Sequence, residues 1–188
     1  MRVAHYTKIA SVLIAAALFV GCTSKTVVES DLGIEDAPDW VNEGTNVLKD
    51  RGGRLFHGVG SAPNVGDQSL QVSTADDRAR SEVAKILSSY MDVASKDYIA
   101  SSTSAGDTSV EASITRNIKN VTKINMTGVK IIGRWKDKKA NTVYSLAELD
   151  MKYVQNNMGK IENMHPGFKD HIQNSGDKVF DSMLKGVN

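Results

Sequence analysis

Val129-Lys130-Ile131-Ile132-Gly133-Arg134-Trp135-Lys136, a polar Asp137-Lys138-Lys139-Ala140-Asn141, and then Thr142-Val143-Tyr144-Ser145-Leu146-Ala147-Glu148-Leu149 form the stretch on which the fold turns. Two runs rich in β-branched and aromatic residues around a five-residue polar break predict an antiparallel hairpin. In the first run Val129, Ile131 and Trp135 alternate on one face, with Lys130, Arg134 and Lys136 on the other. The apolar face of the return run is not fixed by alternation alone. The cations of this hairpin, with Lys138 and Lys139 at its turn, form the most suggestive surface of the chain. They read either as an edge guarded by lysines against stray pairing, or as a docking edge for another copy or an anionic envelope polymer.

Upstream of the hairpin the pattern changes to a helical period. Ala75, Ala79, Val83, Ile86, Tyr90, Ala94 and Tyr98 recur at spacings of three and four, with Asp76, Arg80, Lys85 and Asp92 off the stripe. Thr74 and Asp77 stand in a capping-box relation, so residues 64–73 read as loop. The carboxylates Asp76 and Asp77 then fall in the first turn, where they favour the helix dipole. Ser101-Ser102-Thr103-Ser104-Ala105-Gly106 breaks this helix. A second starts at Thr108 with Glu111, carries Val110, Ile114, Ile118, Val121 and Ile124 or Asn125, and ends at Gly128.

Further upstream, residues 55–59 read as a short strand ended by Gly60-Ser61-Ala62-Pro63. Gly58-Val59-Gly60 lacks the third glycine of the dinucleotide fingerprint and a helix directly after it, and no Walker lysine exists. A strand-ending turn is the reading. Downstream of the hairpin, Asp150 caps a third helix with Met151, Val154, Met158 and Ile161, stopped by His165-Pro166-Gly167. Phe168, Ile172, Val179, Phe180, Met183 and Leu184 make a last helix. The sum is an α+β domain: a small antiparallel sheet of about three strands packed with two or more amphipathic helices and an extra C-terminal helix.

The first 22 residues follow a different logic. Arg2 and Lys8 precede a 12-residue small and apolar run, Ile9 to Val20, and then Gly21-Cys22. A charged start, a short apolar run and small residues at its end are the anatomy of a secretory signal peptide. The run is shorter than the ~18 residues a membrane-spanning helix needs. Phe19-Val20-Gly21-Cys22 resembles the bacterial lipobox, although Phe19 stands where leucine is usual. The resemblance implies an S-diacylglycerol, N-acylated Cys22 after removal of residues 1–21. The absence of Asp after Cys22 implies sorting to the outer membrane. Residues 22–37 then read as lipidated terminus and tether, and 38–188 as one domain.

The remaining 167 residues are enough for a sizeable core. Loss of Arg2 and Lys8 leaves 21 basic against 22 acidic residues, a balance that argues against a nucleic-acid partner. Cys22 is the only cysteine, which excludes a disulfide framework or thiolate metal site. His165 and His171 are six apart and separated by Pro166, so no metal set converges; His57, His165 and His171 read as exposed or strand-end histidines. No Gly-x-Ser-x-Gly elbow occurs, and Glu82 or Glu148 has nothing beside it to nominate catalysis. The expectation is therefore no enzyme, no cofactor and no small-molecule substrate.

Pro38-Asp39-Trp40-Val41, then Phe56-His57-Gly58-Val59-Gly60-Ser61-Ala62, then the helix from Ala75 to Ile86, then Val143 to Asp150, occur in an order that resembles the Lpp-twenty family. These are twenty-kilodalton membrane-associated lipoproteins of bacterial outer membranes, related to flagellar assembly lipoproteins. The resemblance covers roughly residues 38–160, and His57 departs from the aromatic usual at that position. It implies no catalytic activity and places the last helix outside the shared domain. A flagellum-associated ring or sheath component is the alternative within this class. A peptidoglycan-binding protein or envelope hydrolase is the alternative from another.

Overall fold

A computed structural model describes residues 33–48, 54–101 and 108–185. The leader, Cys22 and residues 23–32 lie outside the described residues. Three strands, β1 (Leu55–Ala62), β2 (Lys130–Asp137) and β3 (Thr142–Asp150), form one antiparallel sheet in the order β1-β3-β2. The hairpin strands therefore pair as their spacing predicts, and β1 completes the sheet on the other side of β3. A short turn of helix, α1 (Asp39–Asn42), precedes β1. The long helices α2 (Gln68–Ser101) and α3 (Thr108–Asn125) fill the gap between β1 and β2. After β3 come α4 (Met151–Asn157) and α5 (Pro166–Lys185). The architecture is α+β.

The start of α2 differs from expectation. The helix begins at Gln68, six residues before Thr74, so residues 68–73 are not loop. Its N-terminal donors are satisfied by Asp67, whose Oδ1 accepts from the backbone amides of Ser69 (2.7 Å) and Leu70 (3.1 Å). The Leu70 amide first, then Ser69, hold this carboxyl below the usual carboxylate range. Starting early also places Gln71 at the sheet's end. Its buried Nε2 donates to the carbonyls of Ala62 (3.0 Å) and Asn141 (2.7 Å), joining β1 to the hairpin turn.

β1 also runs further than residues 55–59, to Ala62, with every second residue buried. Gly58 and Gly60 are not a strand-ending turn. They lie mid-strand, on the face that α2 covers. A β-carbon on Gly58 would meet the backbone of Ala79 and Val83, and one on Gly60 the backbone of Ala79 and Ala75. Two glycines with small Ala75 and Ala79 opposite let the helix backbone lie directly on the strand.

The faces of β2 are the second difference. Ile131 pairs with Ala147 and Gly133 with Leu146, so Ile132 is an extra residue, a β-bulge. The extra residue reverses the alternation. Before the bulge Ile131 points into the core; after it Arg134 faces α2, and Trp135 turns to the outer face beside Tyr144, ring centroids 5.6 Å apart. Trp135 and Ile131 thus lie on opposite faces, as do Arg134 and Lys130.

The main core runs through the described residues from Phe56 to Phe180, with a smaller cluster of Ala62, Ala75 and Val143 at the sheet's end. Leu87 and Met91 join the expected stripe of α2, and Ile114, Ile118 and Val121 of α3 pack with it. Asp150 caps α4, accepting from the Lys152 amide at 2.8 Å, as its sequence signature predicts. Pro166 sits at the first position of α5, where its missing N–H costs nothing. That helix is an integral layer of the fold: Phe168 and Ile172 are fully buried, and Phe180 packs edge-on against Phe56 with centroids 5.1 Å apart.

Candidate functional site

The hairpin is the surface the sequence singles out, and the structure divides its cations. The Arg134 guanidinium is engaged: Nε and Nη2 donate to Asp76 Oδ1 and Oδ2 at 2.8 and 2.6 Å. Ser145, opposite Arg134 in the register, donates its hydroxyl to Asp76 Oδ1 at 2.7 Å. The Arg134 bonds hold the Asp76 carboxyl below the usual range against the opposing effect of burial, and Asp76 in turn raises Arg134. Asp76 is therefore neither off the buried stripe nor in a first turn. It is a 7% exposed carboxylate that ties α2 to β2 and β3.

Lys139 is also engaged, with Glu35 at 2.7 Å, an exposed contact that screening weakens. This places the chain before α1 beside the hairpin turn. From there the chain crosses the outer sheet face, where the Trp40 indole lies over Gly133, 3.8 Å from where a β-carbon would stand. Leu146, on that outer face, is 4% exposed. Asp137 shapes the turn itself, its Oδ1 accepting from the amides of Lys139 (2.8 Å) and Ala140 (3.1 Å), and Asn141 takes a left-handed φ of 50°.

Lys130, Lys136 and Lys138 are left exposed, with no ion-pair partner among the described residues. They follow the free edge of β2, with the exposed side chain of Ile132 at the bulge between them. Such an edge has cationic points separated by one apolar contact, and backbone groups that β3 does not use. It can hold carboxylates or other anions through charge-assisted contacts at ordinary lysine positions. The bulge and lysines also make it a poor template for unrestricted strand addition.

The histidines depart from the exposed positions expected of them. His57 lies mid-strand on the outer face, 9% exposed at its side chain, with Nε2 3.0 Å from Glu148 Oε2. His165 and His171, separate in sequence pattern, both pack around the Tyr98 ring, at centroid distances of 5.9 and 5.5 Å. The Tyr98 hydroxyl and His165 Nδ1 are 3.2 Å apart. His171 Nε2 is 3.1 Å from Asp97 Oδ2, but the angle leaves the buried nitrogen without a hydrogen bond. Distance and direction disagree here, and the angle decides, since a misdirected contact is weak. Among the described residues no three His, Cys, Asp or Glu converge on a metal position, and no helix is long and apolar enough to cross a membrane.

A concave region elsewhere on the domain was not signalled by any motif. It lies between the end of α3 and the connection from α4 to α5, with a volume of about 530 Å³. Only the fold brings its two walls together, because they are about forty residues apart in the chain. No protein-family model matches this chain, and no curated protein matches it.

Proposed function

We propose that this chain is a lipid-anchored lipoprotein of the bacterial outer membrane, facing the periplasm, whose α+β domain serves as a structural or interaction module of the envelope. The observation that carries the reading is Cys22, the only cysteine, directly after a charged, apolar and small-residue leader. Three acyl chains on that residue give a permanent hold, since two already suffice for stable anchoring. The domain's contribution is contact. The exposed lysines of β2 and the hairpin turn, with Ile132 between them, form the docking edge for another copy or for an anionic polymer of the envelope.

The test is Cys22→Ala in the producing cell, followed by fractionation and intact-mass measurement. The wild-type chain is expected in the membrane fraction with acyl chains on a terminus that begins at Cys22. The variant is expected either released from the membrane or unprocessed, with residues 1–21 still attached. Equal masses and equal membrane retention for the two would refute the anchor.

A further inference from the structure

The cleft between α3 and the α4–α5 connection has the size of a small-molecule site, about 530 Å³ within a usual range of roughly 300–1,000 Å³. Its floor is apolar: Ile161, 1% exposed, and the half-buried Ile124. Its walls are polar. Asn120, Lys123 and Thr127 stand on one side, and Lys160, Glu162 and Asn163 on the other.

The two walls are tied through backbone at Asn163, while Asn120 and Thr127 each spend part of their hydrogen-bonding capacity within the protein, on Asn117 and on the Ile124 carbonyl. The buried Asn117 donates through Nδ2 to the Asn163 carbonyl at 3.0 Å and to the Ser113 carbonyl at 2.9 Å. This fixes the connection against α3 through backbone, so the Asn163 side chain stays at the surface. Asn163 itself holds a left-handed φ of 57°, a conformation kept where surrounding structure demands it. Thr127 is fixed likewise, its hydroxyl 2.9 Å from the Tyr153 hydroxyl. Lys123 and Lys160, one on each wall, have no ion-pair partner among the described residues. With Glu162 the cleft carries one net positive charge.

We propose that this cleft binds a carboxylated amino-sugar unit of a glycan. An apolar floor suits the C–H face of a sugar ring. Asn120 and Asn163 each offer donor and acceptor together, the pairing that hydroxyl and acetamido groups require. The lysines take the carboxylate. Inorganic phosphate fits less well, because it has no C–H face for the apolar floor and no acetamido group for the asparagines. A nucleobase fits less well too, because no aromatic side chain lines it. The site is independent of the Cys22 anchor, and it adds a glycan contact to the envelope role without changing it.

The experiment is calorimetric or chemical-shift titration of the full chain in detergent micelles, with three probes: N-acetylmuramic acid, N-acetylglucosamine and inorganic phosphate. N-Acetylmuramic acid is expected to saturate with an affinity near millimolar, on the order expected of so small a ligand. N-Acetylglucosamine, which lacks the carboxylate, is expected to bind about tenfold more weakly, and phosphate weaker still. Lys123→Ala and Lys160→Ala are each expected to lower N-acetylmuramic acid affinity about tenfold. Asn163→Gly, which preserves the left-handed backbone, is expected to lower affinity for both sugars. All three should unfold at the wild-type temperature, and Cys22→Ala should bind as wild type. Absence of saturable binding by N-acetylmuramic acid, equal or tighter binding of phosphate, or unchanged affinity in the folded lysine variants would each overturn the proposal.

Discussion

At the scale of single residues, two kinds of position carry the fold: glycines that admit a neighbour and a carboxylate that holds one. Gly60 is the more confined glycine, with Ala75 O 2.6 Å from where its β-carbon would stand and the Ala79 backbone closer still. Backbone cannot swing aside as a flexible side chain can. Gly60→Ala is therefore expected to destabilise the domain by about 3 kcal/mol, the upper part of the usual overpacking cost, as a lower urea midpoint. A surface alanine substitution such as Ser81→Ala should move it far less; equal shifts would show that the helix does not rest on β1 as described. Asp76 gives a different prediction, in pH. Its folded pKa is depressed from 3.8, so its contribution is complete above that value and fades as pH falls through the lower folded value. Asp76→Asn is expected to lose about 2 kcal/mol at neutral pH, through loss of charged hydrogen bonds to Arg134 and Ser145. The two proteins should begin to converge below about pH 4 and meet only below the depressed folded value. A constant gap between their urea midpoints from neutral pH to about pH 2 would remove the carboxylate from the account.

At the scale of elements, α5 packs into the same core as the stretches that carry the family resemblance. Phe180 touches both Phe56 of β1 and Tyr90 of α2. Arg54, just before β1, donates to Asp177 and Asp181 of the same helix at 2.9–3.0 Å. Burial first, then nearby Asp177, pushes the Tyr90 hydroxyl far above the usual phenol range, and that hydroxyl donates to the Gly176 carbonyl. Phe180→Ala is expected to cost about 3–5 kcal/mol, and a chain ending at residue 164 should not give a cooperative thermal transition. A sharp transition in the truncated chain would restore the shorter boundary of residues 38–160. The physical reasons for what was legible separate along similar lines. The hairpin, the Asp150 cap and the stripes of α2 and α3 were legible because each is local: a turn between two β-rich runs, one carboxylate before a helix, a period of three and four. The early start of α2 carried a local signal in Asp67, obscured because Gln68, Ser69 and Gln71 are polar and Gln71 is buried only by contacts to Ala62 and Asn141. The bulge at Ile132 had no local signal, since Ile131-Ile132-Gly133 is apolar throughout and its pairing with β3 decides which residue is extra. Once parity reversed, the lysine-rich surface lost Arg134 to a partner 58 residues away. The cleft was illegible for the same reason, its walls meeting only after α3 and α4 have packed.

At the scale of the whole molecule, anchor and edge must be compatible in space. Ten residues lie between Cys22 and Gly33, the first described position, so a lipid on Cys22 would hold Gly33 within about 40 Å of the membrane. Glu35 meets Lys139 at the hairpin turn, so the edge proposed for docking lies beside the start of the described chain. In one copy the lysines 130, 136 and 138 face solvent, while exposed Asp36 and Asp39 lie on the chain before and within α1. If Cys22 anchors the chain as proposed, copies on one membrane can meet through these opposite charges, and the two-dimensional confinement raises their effective concentration. The replacement of Lys130, Lys136 and Lys138 by Glu together tests this. All three are exposed, so folding stability should change by no more than about 0.5 kcal/mol each. Light scattering on residues 23–188 should give a mass that rises with concentration for the wild type and stays monomeric for the triple variant. Added salt should also return the wild type to monomer, since contacts between exposed charges are screened beyond about 10 Å at 0.1 M. A wild-type chain that stays strictly monomeric at high concentration would sink self-assembly. An assembly that the triple variant forms equally well would move the interface away from the lysines of the β2 edge, to the outer face around Trp135 and Tyr144.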